Sequence, residues 1–295
     1  MKKIRISYQQ KYGIYIKKAG MVLGILAILI YIYPLILVFA NSFMGNQEIN
    51  AHYSTEGNLF ETGRKYIEMK LIPDMVTLSQ YKQILIESPL YLNMFWNSVK
   101  ITVPVVLGQL LISSMAAYAF TVLTFKGKEV LFFLYVIVML LPLQVTLVPN
   151  YIVADLFSIT DSYAAIILPG IFNPFGVFLM RQYMKMLPAS YLEAASIDGA
   201  GHINKFIYII MPVIKPAIAC VSMLVFVEYW NVVEQAVIFI RNSHAMPLST
   251  FLSRINQQQV GVSFASACFY CCPVLIILYF GQDYLKEGIR LSGLK

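Results

Sequence analysis

The chain has 295 residues, of which 59% are hydrophobic and 13% charged, and it carries a net charge of +7. A soluble domain carries about 25% charged residues, so this composition excludes an ordinary water-soluble globular protein. Apolar stretches long enough for a hydrocarbon core of about 30 Å recur along the chain, and a helix satisfies its own backbone hydrogen bonds there. The sequence therefore predicts an all-α, polytopic membrane protein.

Six segments are apolar enough and long enough to cross a membrane, and polar or charged residues bound each of them. The first follows Lys2, Lys3 and Arg5, as the apolar core of a secretory signal follows its basic start. The apolar core of such a signal has about 7–15 residues, and this one is longer, so we predict an uncleaved span. The predicted spans lie at about 19–40, 99–123, 129–150, 163–182, 213–235 and 260–281.

The distribution of Lys and Arg predicts how these spans are oriented. If the N-terminus is cytoplasmic, fifteen of the 22 Lys and Arg residues fall on the cytoplasmic side and seven on the outer side. Five of those seven lie in or beside the long outer segment, where the positive-inside bias counts least. Both termini are therefore predicted to be cytoplasmic, and the net charge reflects topology rather than nucleic-acid binding.

The spans arrange the chain as one membrane domain with short flanking segments. The outer segment at about 41–98 forms a polar cap that is too small to fold as an independent domain. The predicted organisation is a cytoplasmic segment 1–18, a six-helix domain 19–282 that includes this cap and a cytoplasmic loop at about 183–212, and a cytoplasmic tail 283–295.

Spans three and four contain helix breakers with amides beside them. Gln144, Asn150 and Asn173 each lie close to a proline in the sequence. A proline frees a backbone carbonyl, and in a bilayer that carbonyl must bond a neighbouring helix or water in a cavity. Such breaks suit a protein that moves or conducts, although prolines are frequent in membrane helices generally.

A short polar helix, EAASIDGAG at residues 193–201, lies in the cytoplasmic loop between spans four and five. Ser190 and Glu193 have the spacing of a capping box, which predicts a helix that begins after Ser190. Gly199 can adopt the left-handed conformation that ends a helix and turns the chain. Asp198 beside it is a residue type that favours turns.

A second short amphipathic helix is predicted from about His202 until Pro212 ends it. The two helices form a helix–turn–helix segment at residues 188–212, which we call the cytoplasmic bracket. An isolated helix of two turns is marginally stable in water, and small residues let a partner approach closely. We therefore expect the bracket to dock a partner. The alternative is a solvated loop in which Glu193 only caps its helix.

The bracket resembles the EAA loop in the permease subunits of binding-protein-dependent ABC importers. Other stretches are similar to the second permease of carbohydrate importers of the maltose, lactose and glycerol-phosphate type: LSQYKQIL, LPLQVTLVPNY, ILPGIFNPFGVFLMRQY and YLKEGIRLSGLK. The resemblance covers about residues 72–295, although leucine is usual where Met211 stands. The bracket residues assigned to ATPase coupling on this resemblance are Glu193, Ala194, Ala195, Asp198, Gly199, Met211 and Pro212.

The resemblance implies a type I ABC importer permease fold in a bacterial cytoplasmic membrane. It implies that the bracket is the coupling helix, seated in a cleft of an ATPase subunit, with Glu193 as the charged contact. The implied partners are a second homologous permease, two ATP-binding cassette ATPase subunits, an extracytoplasmic sugar-binding protein and membrane lipid, with no nucleic acid. The chain has no G-x-x-x-x-G-K-[ST] phosphate loop, so ATP chemistry must come from a partner, and no catalytic residue or cofactor is expected.

Span five carries polar residues at membrane depth. An ionisable group there is costly and is a functional hypothesis by default, so Glu228 is the clearest candidate. Its alternative role is a hydrogen bond between helices. Glu234 follows six residues later and is therefore predicted to face another side of the same helix. Aromatic and amide side chains suit a hydroxyl-rich ligand, so the candidates for the sugar path are Glu228, Trp230, Asn231, Gln144, Asn150 and Asn173.

Two other functional classes stay open at this point. A membrane-embedded enzyme would need paired catalytic groups, which Glu228 and Glu234 do not supply on different helix faces. A stand-alone secondary transporter would need no ATPase, so capture of an ATPase through the bracket would separate it from an importer subunit. The four cysteines and three histidines have no metal-ligand spacing, and no metal site is expected.

Overall fold

The computed structural model describes residues 2–53, 69–254 and 259–292, which are helical apart from turns and loops. One isolated antiparallel bridge joins Met44 and Val76, and no β-sheet forms within these ranges. The predicted all-α fold is confirmed.

The first of two compact units consists of residues 1–88 and 255–269. Its N-terminal part contains α1 (Lys2–Asn41), α2 (Asn46–Tyr53) and α3 (Ser79–Lys82), and α3 continues as a π-helical turn (Gln83–Glu87). Lys70 pairs with Glu48 of α2 at 2.9 Å and also with Asp74. This small ion network ties the segment before α3 to α2.

The second unit consists of residues 89–254 and 270–295. Its helices in chain order are α4 (Pro89–Val122), α5 (Lys128–Met139), α6 (Leu143–Leu156), α7 (Ala164–Ile171), α8 (Pro174–Met184), α9 (Ala189–Ile197), α10 (His202–Asn204), α11 (Met211–Val213), α12 (Lys215–Trp230), α13 (Glu234–Phe239) and α14 (Leu248–Leu252). A π-helical turn (Lys205–Ile210) joins α10 to α11, and α15 (Val260–Ser292) contributes to both units.

The core of the second unit forms where α4 packs against α7, α8 and α12. Ile101, Val105 and Gln109 of α4 are spaced four residues apart and lie along one buried stripe. Ile166 of α7 and Met180 of α8 are fully buried in the same cluster. Their burial fixes α7 and α8 against the long helix.

Within residues 2–53, 69–254 and 259–292, four helical segments are long and apolar enough to cross a membrane: Gly20–Asn41, Pro89–Val122, Ala164–Met184 and Val260–Tyr284. Each contains or overlaps one of the predicted spans. Two further predicted spans correspond to bent helix pairs, so that the total is six if each pair crosses once.

One bend lies within the span predicted at 129–150, and the other lies at the start of the span predicted at 213–235. Lys128–Met139 meets Leu143–Leu156 at 106°, and His202–Val213 meets Lys215–Trp230 at 73°. The segment predicted at 129–150 is therefore not one continuous helix, because Pro142 is extended with ψ 146° and its ring cannot continue α5.

Candidate functional site

The first helix of the cytoplasmic bracket does not begin as the sequence predicts. α9 starts at Ala189 with Pro188 as its N-cap, and no side chain bonds the cap position. The predicted capping box is wrong, because Ser190 lies inside the first turn and does not precede the helix. Pro188 accounts for this, since its ring fixes φ near the value a helix entry tolerates. Glu193 is consequently free of a capping role.

The end of α9 follows the prediction. Gly199 has φ +80°, the left-handed conformation that L side chains rarely adopt. The N–H of Gly199 donates to the Ser196 carbonyl at 3.1 Å, and the N–H of Ala200 donates to the Ala195 carbonyl at 2.9 Å. These two bonds complete a Schellman motif in which Ile197 is the last helical residue and Asp198 is the C-cap.

The second arm of the bracket is one helical run with a π turn at its centre. It continues past Pro212 to Val213, so the predicted end at Pro212 is corrected. Pro212 lies inside this run, just after the π turn, and the run ends one residue beyond it. The chain then bends by 73° into α12.

Several contacts brace the bracket internally and against the helix bundle. The Lys205 ammonium donates to the Ser196 hydroxyl at 2.6 Å, which links the two arms. Tyr118 of α4 has its hydroxyl 3.2 Å from the His202 ring nitrogen Nδ1 and packs edge-on against Phe206. The bracket is therefore held by α4 as well as by the chain that leads into it.

The outward face of the bracket is apolar. Ile197, Ile203 and Tyr208 are 87%, 74% and 74% exposed. Glu193 and Ala194 are exposed as well, and Glu193 forms no ion pair within the described part of the chain. Large apolar side chains this exposed, around one carboxylate, are typical of a protein contact surface.

Glu228 and Glu234 line one pocket of about 240 Å³ at the end of α12. The sequence places them on different helix faces, and this is wrong because the helix stops at Trp230 and restarts at Glu234. The turn at 231–233 brings both carboxylates to the same cavity. The other residues that line it are Leu143, Tyr229, Asn231, Val232, Val233 and Gln235, and none of the lining residues is basic.

The other path candidates divide between this pocket and the core. Gln144 donates to the Glu234 carboxylate at 3.5 Å, at the rim of the pocket. Trp230 does not line the pocket, because its ring is buried between Phe226 and Tyr270 and its N–H donates to the Tyr270 carbonyl at 3.1 Å. In this conformation Trp230 is a packing residue.

Two amides lie elsewhere in the second unit. Asn173 is the N-cap of α8, and its side-chain oxygen accepts the N–H of Phe175 at 2.9 Å. Asn150 lies within α6 and is not among the residues that line the pocket. The structure thus brings Glu228, Asn231 and Gln144 together and leaves Asn150, Asn173 and Trp230 outside.

Arg181 is a structural residue that sequence reasoning counts only as a cytoplasmic charge. Its side chain is buried in α8, where Nε donates to the Phe120 carbonyl at 3.1 Å. Nη2 donates to both Glu129 carboxylate oxygens, at 3.0 and 3.2 Å, and the guanidinium lies 3.6 Å from the Phe132 ring centroid. The available signal in the sequence is that Glu129 and Arg181 are opposite charges at span ends that the Lys and Arg distribution predicts to be on the same side of the membrane.

Residues 109–291 match the family described as the inner membrane component of binding-protein-dependent transport systems. The chain is 30% identical over 238 residues to the arabinooligosaccharides transport system permease protein AraQ of Halalkalibacterium halodurans, covering 80% of this chain and 85% of that protein. It is 29% identical over 226 residues to the maltodextrin transport system permease protein MdxG of Bacillus subtilis, covering 74% and 81%.

The fold is similar to that in a crystal structure of a bacterial ABC transporter involved in the import of the acidic polysaccharide alginate. The TM-score is 0.77 at 24% sequence identity, and the match covers 92% of this chain and 96% of that chain. At this identity the likeness concerns the fold.

Proposed function

The chain belongs to the inner membrane components of binding-protein-dependent transport systems, and from that premise we propose that it forms half of the translocation pathway for a sugar or oligosaccharide. It is a non-catalytic transmembrane subunit. The names of relatives support a carbohydrate, since they refer to arabinooligosaccharides, maltodextrin and galactooligosaccharides. An extracytoplasmic binding protein delivers the substrate in this proposal.

The exposed face of the bracket is the observation that carries the coupling part of the proposal. An apolar face with Ile197, Ile203 and Tyr208 exposed is costly in water unless a partner covers it. The bracket is braced by Tyr118 and by its own Lys205–Ser196 bond, so a partner that moves it also moves the bundle. The partner we propose is an ATP-binding cassette ATPase, with Glu193 and the small Ala194 at the contact.

The complete importer would contain a second homologous permease and two ATPases, because this chain has one bracket and one half of a pathway. Both termini and the bracket are cytoplasmic in this proposal, on the basis of the Lys and Arg distribution. The Glu228 pocket would face the sugar, and its carboxylates and Asn231 amide would accept and donate hydrogen bonds to hydroxyl groups.

Substitution of Gly199 tests the bracket directly. Gly199→Val places a β-branched residue at φ +80°, so the turn opens and the arms separate. We expect severe loss of sugar uptake and weaker attachment of the ATPase in membranes. Gly201→Val is the matched control, because Gly201 has φ −69° and ψ 170° and no atom within 4 Å of an added Cβ.

Glu193→Gln tests the charge at the contact. Because Glu193 caps no helix, this substitution removes a negative charge with little expected change in α9. We expect the complex to assemble and to transport less sugar per ATP hydrolysed.

Normal uptake and normal ATPase binding in the Gly199→Val protein would mean that the bracket is not involved in coupling. Uptake without any bound ATPase would favour a secondary transporter.

A further inference from the structure

The fourth span contains a break at its centre. α7 ends at Ile171 and α8 begins at Pro174, with Asn173 as the cap between them. Pro174 has no N–H to offer the preceding turn, so the last carbonyls of α7 are not taken up by α8 in the usual ladder. The two halves of the span are therefore joined by a short non-helical link.

Two polar side chains of α4 are buried without hydrogen-bond partners beside the helix that follows this break. Gln109 and Ser113 of α4 are each 1% exposed. Both ends of the Gln109 amide and the Ser113 hydroxyl lack a hydrogen-bond partner among the described residues. A polar group that is buried without a partner costs free energy, and in a low-dielectric interior this cost is at its highest.

The first turn of α8 rests directly on these atoms. A Cβ added at Gly176 would lie 2.5 Å from the Ser113 hydroxyl oxygen and 3.2 Å from the Gln109 Nε2 atom. Only glycine lets α8 approach α4 this closely. The unpaired amide and hydroxyl thus lie at the contact between α4 and the helix that follows the break.

The same helix leads into the bracket. α8 ends at Met184, and residues 185–188 join it to α9. A displacement of the bracket is therefore transmitted to α8, and the link at 172–173 is the nearest point at which the span can bend. The polar groups of Gln109 and Ser113 that are unpaired in one conformation of α8 can be hydrogen-bonded in another. The conformation in which more of them are hydrogen-bonded is stabilised by those bonds.

We propose that Gln109 is a positioning residue for transport: α8 pivots at residues 172–173, and in the other state of the cycle the Gln109 amide bonds backbone groups at this break. This inference rests on the proposed function, because it takes the bracket as the source of the movement. The described conformation is the one in which the amide is unpaired, and pairing stabilises the conformation that follows the pivot.

The test uses a conformational probe that needs no knowledge of the sugar. Phe172 is exposed beside the break, so a cysteine there reports the pivot through its rate of maleimide labelling. The chain is first freed of Cys220, Cys268, Cys271 and Cys272 and assembled with its partner subunits. Labelling is compared in the resting complex and in the complex trapped with ATP and vanadate. We expect the wild-type rate to change at least threefold on trapping.

Gln109→Leu keeps the side-chain size and removes both polar ends. We expect labelling at position 172 to change less than 1.5-fold on trapping, uptake to fall about tenfold, and the thermal midpoint of the resting complex to stay the same or rise. Gln109→Asn keeps an amide and should recover most of the labelling change. Ser114→Ala is the control, since the Ser114 hydroxyl already donates to the Leu111 carbonyl at 2.9 Å.

The outcomes separate this proposal from the proposed function. If the wild-type and Gln109→Leu complexes respond equally to trapping, the role of Gln109 is overturned and the pivot is not. A Gln109→Leu complex that is less stable, with uptake reduced only in proportion to its amount, would make the amide a folding element and overturn the proposal. A wild-type complex that takes up sugar but does not respond to trapping would overturn the pivot and leave the proposed function standing.

Discussion

The fourth span is held in different ways at its C-terminal end and at its centre. At the C-terminal end, Arg181 directs its guanidinium to the Phe120 carbonyl, to both Glu129 oxygens and to the Phe132 ring. At the centre, Gln109 presents two buried polar ends to α8, and neither is paired in the described part of the chain. The span therefore has one anchor with several hydrogen bonds and one contact whose polar groups are unpaired.

This difference indicates which part of the span moves. A buried charge with several partners is costly to displace, because each bond lost leaves a charge poorly solvated. An unpaired amide resists displacement much less. We therefore expect α8, α5 and the end of α4 to move together when the bracket is pushed, and the change in geometry to concentrate at residues 172–173.

Arg181→Met should have the largest effect, because it removes the anchor. Hydrogen bonds to charged groups contribute about 1.5–3 kcal/mol each to the free energy of unfolding. Because Glu129 is exposed, solvent weakens the contribution of the Arg181–Glu129 pair, so we expect a total loss of about 3 kcal/mol. Thermal unfolding of the purified complex measures this. Arg181→Lys should fall between wild type and Arg181→Met, since an ammonium cannot reproduce the guanidinium fork. An unchanged thermal midpoint in the Arg181→Met protein would show that Arg181 does not anchor the span.

Gly176→Ala tests the centre of the span and should have an intermediate effect. The added methyl meets the Ser113 hydroxyl oxygen at 2.5 Å, and overpacking of this kind costs about 1–3 kcal/mol. We expect a lower thermal midpoint and weaker dependence of labelling at position 172 on ATP and vanadate. Ser113→Ala in the same chain removes the nearest atom and should recover part of both losses. Wild-type behaviour of Gly176→Ala alone would show that the close approach is unimportant.

The N-terminal end of the span supplies the smallest expected effect, which depends on pH. The Asp161 carboxylate accepts the N–H groups of Arg241 at 2.7 Å and Asn242 at 3.1 Å, and these bonds lower the pKa of Asp161 below its usual value. A lowered carboxylate pKa stabilises the folded state above the ordinary Asp range, and this contribution is lost as the pH falls through the lowered pKa. Hydrogen exchange should show the two amides protected at neutral pH and less protected in strong acid.

Asp161→Ala is the reference for that measurement. Without the carboxylate, the amides of Arg241 and Asn242 should exchange faster at neutral pH, and their protection should no longer depend on the protonation of residue 161. Equal protection in the wild-type and Asp161→Ala proteins would show that other contacts hold the N-terminal end of the span.

The sequence was sufficient for features that depend on local chemistry. Apolar runs locate the membrane helices because a bilayer imposes their length, and Gly199 ends α9 because few other residues adopt its backbone conformation. The prediction for the start of α9 is wrong because Ser190 and Glu193 have capping spacing, whereas Pro188 is the N-cap and the helix begins two residues earlier.

Features that depend on tertiary contacts could not be read from the sequence. The shared pocket of Glu228 and Glu234 requires α12 to stop at Trp230, and the residues at 231–233 include neither glycine nor proline to signal it. The Arg181–Glu129 pair joins residues 52 positions apart, and the unpaired state of Gln109 is a property of how α8 packs on α4.

Disulfide or maleimide cross-linking between the bracket and the ATPase tests the central claim most directly. A cysteine at Ile197, the most exposed apolar position of the bracket, is placed in the chain that lacks its four native cysteines and is assembled in membrane vesicles. The account predicts a cross-link from position 197 to the ATPase subunit, and none from Leu156, an equally apolar exposed position that the predicted topology places outside the cytoplasm. No adduct at position 197 in a complex that contains the ATPase would contradict the account.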